Sequence, residues 1–143
     1  LARLYNLERE LDQALQEKIW LKSGGFLVIQ QTEAFVAFDV NTGKHSSKKD
    51  AEENYKQINR EAALEIARQI RLRNLSGMIL IDFINMRDCE DRSDLIQYMR
   101  SLVRSDSMQT VVVDVTTLGI MEITRKKSAK TLAEQLNQLR KGE

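Results

Sequence analysis

The sequence predicts an α+β fold in which helices pack on a mixed β-sheet. Apolar residues recur at helical spacing in four separate stretches, and shorter apolar runs of strand length lie between them. Two pairs of these short runs surround turn residues and read as hairpins, whereas a central run follows a long helix. Hairpins and a strand–helix–strand crossover in one chain favour a sheet with both antiparallel and parallel neighbours.

Composition limits the function classes. The chain has 143 residues, 42% hydrophobic and 30% charged, which is typical of a soluble globular domain. A net charge of +1 excludes a bulk polycation, and a single cysteine and a single histidine exclude a self-contained zinc site. The lone Cys89 fits a reducing cytoplasm. No run approaches the roughly 20 apolar residues of a membrane span, and no signal peptide is visible.

The N-terminal part is predicted to be a helix followed by strands. Leucines at helical spacing place an amphipathic helix over 2–17, and because the chain opens inside this pattern at Leu1 we expect a piece of a longer protein. A Ser-Gly-Gly turn at 23–25 precedes a hairpin of 26–30 with 32–40, bent near 30–32. Trp20 is predicted to be a core or core-edge aromatic.

A polar loop and a long helix come next. His45 in the 41–49 loop is a weak candidate for a general base or a ligand, and a solvent-facing side chain is the simpler interpretation. The helix over 50–72 begins at a capping Asp50. Its predicted buried face carries Ile58, Ala62, Ile66 and Ile70.

The central run at 78–86 is predicted to be a strand buried on both faces, with Asp82 as its only charge. A helix over 88–104 follows, and Cys89 in its first turn is more simply a passive thiol than a nucleophile.

Strands at 110–116 and 120–124 surround a Leu-Gly turn, and a helix capped by Ser128 ends the chain. Asp114 in the first of these strands is a candidate third acid, although strand alternation allows it to point away equally well.

Two aspartates carry the functional hypothesis. Asp39 and Asp82 each end an otherwise apolar run, and alternation places Asn41 on the same face as Asp39. If the two strands are neighbours, the carboxylates meet at one edge of the sheet and can hold Mg²⁺, which polarises a phosphodiester and activates water. The alternative is that both are structural hydrogen-bond acceptors.

Seven stretches of the chain resemble the catalytic region of the ribonuclease E/G family, with the ribonuclease G type the most similar. The similarity extends from about residue 7 to 127 in one register. The stretches are Leu21-Lys22-Ser23-Gly24-Gly25, Gln31-Thr32-Glu33-Ala34, Phe38-Asp39-Val40-Asn41-Thr42-Gly43, Asn59-Arg60-Glu61-Ala62, the run from Ile66 to Leu75, Ile81-Asp82-Phe83-Ile84-Asn85-Met86, and the run from Leu118 to Lys126.

This resemblance implies an endoribonuclease that cuts single-stranded RNA with Mg²⁺ and acts in RNA processing and decay. The family's metal-binding aspartates correspond to Asp39 and Asp82, and its supporting asparagine corresponds to Asn41. The implied fold is a deoxyribonuclease-I-like catalytic subdomain over 18–127. It is preceded at 1–17 by the tail of a ribonuclease-H-like subdomain and followed at 128–143 by a C-terminal helix.

The chain also departs from the family pattern. The family's OB-type RNA-binding domain, its pocket for the RNA 5′ monophosphate and its Cys-x-x-Cys zinc link have no counterpart in these residues. Gln109 replaces a residue that is often basic, and Ser76 one that is often glycine. We therefore expect the piece alone to be weak or inactive. The candidate RNA-backbone contacts are Lys44, Lys48, Arg125 and Lys126.

Two other hypotheses remain at this level. The chain could be a non-catalytic RNA-binding or scaffolding domain that retains the fold, or a module that self-associates into a homo-oligomer through its terminal helices.

Overall fold

The computed structural model describes residues 4, 17–43, 51–127 and 132–141. This part of the chain contains six strands and three helices. In chain order they are β1 (Lys18–Trp20), β2 (Phe26–Gln31), β3 (Val36–Asn41), α1 (Ala51–Leu72), β4 (Gly77–Asp82), α2 (Cys89–Arg104), β5 (Thr110–Val115), β6 (Ile120–Arg125) and α3 (Leu132–Lys141). The predicted α+β class is confirmed. None of the described helices is long and apolar enough to cross a membrane.

The strands form one mixed sheet in the order β1-β2-β3-β4-β6-β5. Only β3 and β4 are parallel, and every other neighbouring pair is antiparallel. Helix α1 makes the crossover between the two parallel strands, as a parallel connection requires. The carboxyl ends of β3 and β4 therefore lie at the same edge of the sheet.

Helices α1 and α2 cover one face of the sheet, and the core lies between them and the strands. The inward residues of the strands include Phe38, Ile81 and Ile123, each at most 1% exposed. The predicted inward face of α1 is confirmed, since Ile58, Ala62, Ile66 and Ile70 are all buried. Burying an isoleucine or phenylalanine side chain contributes roughly 1.5–3 kcal/mol, so this one-sided core holds α1 and α2 to the sheet.

The other face of the sheet is the open face, and it corrects two predictions. Strand β4 is not buried on both sides, because Met78 is 49% exposed and Asp82 is exposed as well. The strand also ends at Asp82 rather than continuing to 86. Trp20 is not a core residue either. Its side chain is 64% exposed, because it is on the open face of a strand at the edge of the sheet.

Most predicted boundaries hold to within one or two residues, and the hairpin bend does not. Thr32 and Phe35 close this turn through a backbone hydrogen bond of 2.9 Å, so the bend lies at 32–35 rather than at 30–32. Thr32 Oγ1 also accepts hydrogen bonds from the amides of Ala34 and Phe35. The side chain of Thr32 thus organises the turn locally.

Several predictions fall outside the described residues. The helix predicted over 2–17 is described only at Leu4, which is helical, and at residue 17. The helix cap at Asp50, His45 and the cap at Ser128 also lie outside the described part.

Candidate active site

The two predicted aspartates lie side by side. Asp39 in β3 and Asp82 at the end of β4 are register partners in the parallel pair. Adjacent strands are about 4.8 Å apart, and directly paired residues point to the same face, so both carboxylates extend from one place on the open face. Both residues are exposed. The buried neighbours Phe38 and Ile81 hold the two strands in this register.

The electrostatics of the pair are unfavourable without a cation. Partial burial, and secondly the negative charge of Asp39, raise the pKa of Asp82 above its ordinary value. Within the described part of the chain, neither carboxylate has an ion-pair or side-chain hydrogen-bond partner. Two like charges held together in this way make a position where a cation would relieve the repulsion.

Asn41 ends β3 on the same face as Asp39. Its side-chain amide donates to the backbone carbonyl of Asp39 at 3.3 Å, which orients the amide next to the acid pair. Close packing fixes the loop behind it. A Cβ on Gly25 would lie 2.8 Å from the carbonyl oxygen of Asn41, and Gly43 has a φ of +73°. The two glycines allow the 21–25 turn and the end of β3 to approach each other.

Helix α1 anchors that turn. Glu61 accepts hydrogen bonds from the amide and the hydroxyl of Ser23 at 3.0 and 2.6 Å. The Ser-Gly-Gly motif therefore connects the helix layer to the loop beside Asn41.

The segment after Asp82 is anchored by two residues whose role the sequence reasoning did not identify. Asn59 is fully buried in α1, and its amide donates to the Ile84 carbonyl at 2.9 Å and accepts from the Ile84 N–H at 3.0 Å. Arg92 donates to the carbonyls of Met86 and Arg87 at 2.6 and 2.9 Å. A signal for Asn59 was present: a polar residue lies within the apolar stripe of the helix, and buried amides need partners.

Next to Asp82 is a cavity of about 150 Å³ between the 83–86 segment, α2 and the β5–β6 turn. Apolar side chains form most of its wall, and Asp82 is one of its polar lining residues. Its lining residues include Phe83, Asn85, Arg92, Leu95, Leu118 and Met121. Asp82, one member of the acid pair, thus lines a recess.

The family model of the ribonuclease E/G family matches residues 1–128. The chain belongs to the ribonuclease E/G family. It is 38% identical over 133 residues to ribonuclease G of Escherichia coli strain K12 and 40% identical over 133 residues to ribonuclease G of Haemophilus influenzae. It is 35% identical over 130 residues to ribonuclease E of Nostoc.

The matched region is a large part of this chain and a small part of its relatives. It covers 93% of this chain and 27% of each of the two ribonuclease G sequences, and 91% of this chain and 19% of the ribonuclease E sequence. The chain thus spans about a quarter of the length of the ribonucleases G that it matches.

The donor set of this ribonuclease E/G family member fits magnesium. Mg²⁺ in proteins typically takes one or two carboxylates and completes its shell with water and substrate phosphate. The described residues contain no group of three or more histidine, cysteine or acidic residues placed for metal binding. Two exposed carboxylates with an oriented amide beside them match this modest demand, whereas a structural zinc site needs four ligands.

Asp114 does not join the acid pair. It is in β5, at the far edge of the sheet and two strands from β4. Its carboxylate accepts a hydrogen bond from the neighbouring Val115 N–H at 2.8 Å, next to a bulge in the ladder. The hypothesis of a third acid at the site is therefore wrong. Cys89 is exposed and free.

Of the four predicted contacts to the RNA backbone, the one assigned to Arg125 is wrong. It is 5% exposed, and its guanidinium donates to Asp106 at 2.8 and 3.3 Å, to Asn74 Oδ1 at 2.8 Å and to the Leu75 carbonyl at 2.8 Å. All of these partners are protein groups, and the buried side chain is not available to a phosphate. The basic run had suggested a surface patch, but alternation turns this residue inward.

The other three basic residues are not brought to the acid pair by any described contact. Lys126 is exposed, but it follows β6 at the end where Arg125 pairs with Gly77, the first residue of β4. Asp82 is at the opposite end of β4, about 17 Å away along the strand. Lys44 and Lys48 lie outside the described residues.

Proposed function

We propose that this chain is the catalytic core of a Mg²⁺-dependent endoribonuclease that hydrolyses phosphodiester bonds in single-stranded RNA. One observation carries the proposal: the two aspartates, 43 residues apart in sequence, are register partners on an open face. Membership of the ribonuclease E/G family supports the choice of RNA as substrate.

Asp39 and Asp82 would hold the metal ion through their adjacent carboxylates. Bound there, Mg²⁺ would supply Lewis-acid polarisation of the phosphate and a water of lowered pKa. Water attacks phosphorus, the bond from phosphorus to the 3′ oxygen breaks, and that oxygen takes up a proton. The products are a 3′-hydroxyl and a 5′-phosphate.

Asn41 would position water or phosphate without adding negative charge. Its amide is already oriented by the Asp39 carbonyl, so little side-chain freedom is lost when substrate binds. Asn59 and Arg92 would act as positioning residues, because they hold the backbone that follows Asp82.

We propose further that 18–127 form a deoxyribonuclease-I-like catalytic subdomain, with 1–17 from a ribonuclease-H-like neighbour and 128–143 as an added helix. Most of the whole protein's affinity for RNA would then come from residues outside this chain, and the isolated chain would cut RNA slowly. A cytoplasmic location and self-association remain predictions.

The test is cleavage of a 5′-monophosphorylated single-stranded RNA, with and without Mg²⁺. The natural protein that carries this chain would be compared with its Asp39→Asn, Asp82→Asn and Asp114→Asn variants. Loss of a metal ligand should reduce the rate at least about 100-fold, whereas Asp114→Asn, an exposed acid on the same sheet, should cut at nearly the normal rate.

Folding of each variant would be checked by circular dichroism. Normal cleavage by both folded ligand variants would contradict the proposal and favour the RNA-binding or scaffolding alternative.

A further inference from the structure

An aromatic pair, of which one ring is exposed and the other half-buried, lies with a lysine on the same face as the two aspartates. Trp20 in β1 and Phe26 in β2 are register partners whose ring centroids are 5.1 Å apart at an interplanar angle of 54°. Lys18 Nζ lies 4.4 Å from the Trp20 ring centre and 4.2 Å from that of Phe26. We refer to Lys18, Trp20 and Phe26 as the aromatic platform.

Strand register places the platform relative to the acids. Lys18 pairs with Val28, Val28 pairs with Asp39, and Asp39 pairs with Asp82, so these residues form one row across the sheet. The next row begins at Trp20 and passes through Phe26 to Asn41. Paired residues share a face, and two strand spacings put Lys18 about 10 Å from Asp39.

Burial shows that the platform is not part of the core. Trp20 is 64% exposed, while its chain neighbour Ile19 packs on the helix side of the sheet. A cross-strand aromatic pair stabilises a hairpin. That role does not require the tryptophan ring to be exposed to water. Large exposed aromatics with a cation beside them are typical of binding surfaces.

We propose that the aromatic platform is a stacking subsite for a base of the RNA strand close to the cleaved bond. Single-stranded nucleic acids bind to surfaces that combine stacking aromatics with cations that follow the phosphates. Trp20 supplies the exposed ring, Phe26 supports it from the next strand, and Lys18 supplies the charge. The subsite rests on the proposed function, because only an RNA cut at the acid pair would cross this row.

RNA is favoured as the occupant by the charge of the platform and by its place. Lys18 is a cation in the same row as two carboxylates, so an anionic strand that reaches a metal at the acids can use the lysine as a second contact. A purely apolar protein partner would have no use for that charge.

The chain contains a single tryptophan, which makes binding directly observable. The 143-residue chain would be titrated with oligoadenylate in EDTA, where no cleavage occurs, and Trp20 fluorescence would be recorded. We expect saturable quenching that weakens as salt is raised. Lys18→Gln should reduce the magnitude of the slope of log affinity against log salt by about one, as expected for the loss of one phosphate contact.

A matched pair of variants distinguishes base stacking from nonspecific hydrophobic binding. Trp20→Ala should weaken oligoadenylate binding, measured by fluorescence anisotropy of a labelled strand, by roughly 5- to 100-fold. Leu64→Ala removes another exposed apolar side chain, 53% exposed on helix α1, and should leave affinity within about twofold. Thermal melts of both variants would show that the fold is retained.

The same variants in the natural protein that carries this chain provide a second measurement. Trp20→Ala should raise KM for a single-stranded RNA with kcat within about threefold, because the platform binds the strand and does not touch the reacting atoms. Unchanged KM together with unquenched fluorescence would overturn the subsite and indicate that Trp20 packs against another part of the protein. This result is separate from the proposed function, which fails only if Asp39→Asn and Asp82→Asn proteins still cut.

Discussion

At one end of strand β4 the Asp82 carboxylate lies beside Asp39, and at the other end Asp106 lies against Arg125 across the start of the same strand. The first region holds two like charges in an exposed position. The second holds opposite charges whose side chains are 4% and 3% exposed. Among the described residues of this sheet, Asp106 has a cationic side chain as its partner and Asp82 has none.

The pKa values express this difference. Burial and then the charge of Asp39 raise the pKa of Asp82. For Asp106 burial also acts upward, but hydrogen bonds from Arg125, Thr110 and the Met108 amide, with the Arg125 charge, outweigh it and lower the pKa to about 2. The Asp106–Arg125 ion pair, referred to below as the Asp106 corner, stabilises the folded chain. The repulsion between Asp39 and Asp82 destabilises it, and a bound cation would remove that destabilisation.

The largest expected effect is at the stabilising corner. Arg125→Met leaves the Asp106 carboxylate buried and unpaired and removes the donor to the Leu75 carbonyl, so the free energy of unfolding should fall by about 3–5 kcal/mol. Urea unfolding followed by circular dichroism measures it. Lys126→Met, at the exposed neighbour, should change stability by less than about 0.5 kcal/mol. Equal stability of the two variants would contradict the structural role of Arg125.

The support of the acidic edge should be the next most sensitive. Asn59→Leu keeps the side chain similar in size but leaves the N–H and C=O of Ile84 without their buried partners, which costs about 2–3 kcal/mol. Gln57→Leu on the exposed side of α1 is the matched control. If Asn59 positions Asp82, cleavage at saturating RNA should fall even at temperatures where the variant is fully folded. A purely structural residue would leave that rate unchanged.

Acid should unfold the chain through the Asp106 corner. The folded pKa of Asp106, about 2, lies below its ordinary value of 3.8, so its stabilising contribution is complete above pH 3.8 and is lost as pH falls toward 2. The loss amounts to about 2 kcal/mol. Unfolding free energies measured from pH 5 to pH 2 should show this slope in the native chain. The Asp106→Asn chain, already destabilised, should lack it.

The smallest expected effect has the opposite sign. Asp82→Asn removes one of two like charges, so without a divalent cation the chain should become slightly more stable at pH 7, by less than about 1 kcal/mol because solvent screens exposed charges. Adding Mg²⁺ should raise the melting temperature of the native chain and not that of Asp82→Asn. A variant that is less stable in EDTA would show that Asp82 has a structural role instead.

Local pattern was enough to predict α1, α2 and the paired strands of the two hairpins, and it singled out the two aspartates. Apolar spacing set the boundaries of α1 and α2 to within a residue, because burial of a stripe is what holds a helix on a sheet. The aspartates stood out because a charge at the end of an apolar strand needs a reason, and the family resemblance selected the same two residues.

The local pattern did not predict which side chains are exposed or which side chains are partners. The apolar content of β4 predicted a strand covered on both faces, but α1 and α2 pack on one face only, and Met78 and Asp82 are exposed on the other. Arg125 looked like a surface cation, and only the approach of Asp106 from 19 residues away made it a buried one. Trp20 was predicted to be a core or core-edge aromatic, and the structure places it 64% exposed on the strand at the edge of the sheet.

By itself, the sequence determined which residues are candidates for the chemistry and which local elements hold them, since side-chain type and hydrophobic period are properties of short stretches. Only the tertiary structure decided which side chains meet. The parallel pairing of β3 with β4, and with it the contact between two acids 43 residues apart, depends on a crossover that brings distant strands together. Neighbours in space follow from the packing of whole elements, and no local stretch encodes that packing alone.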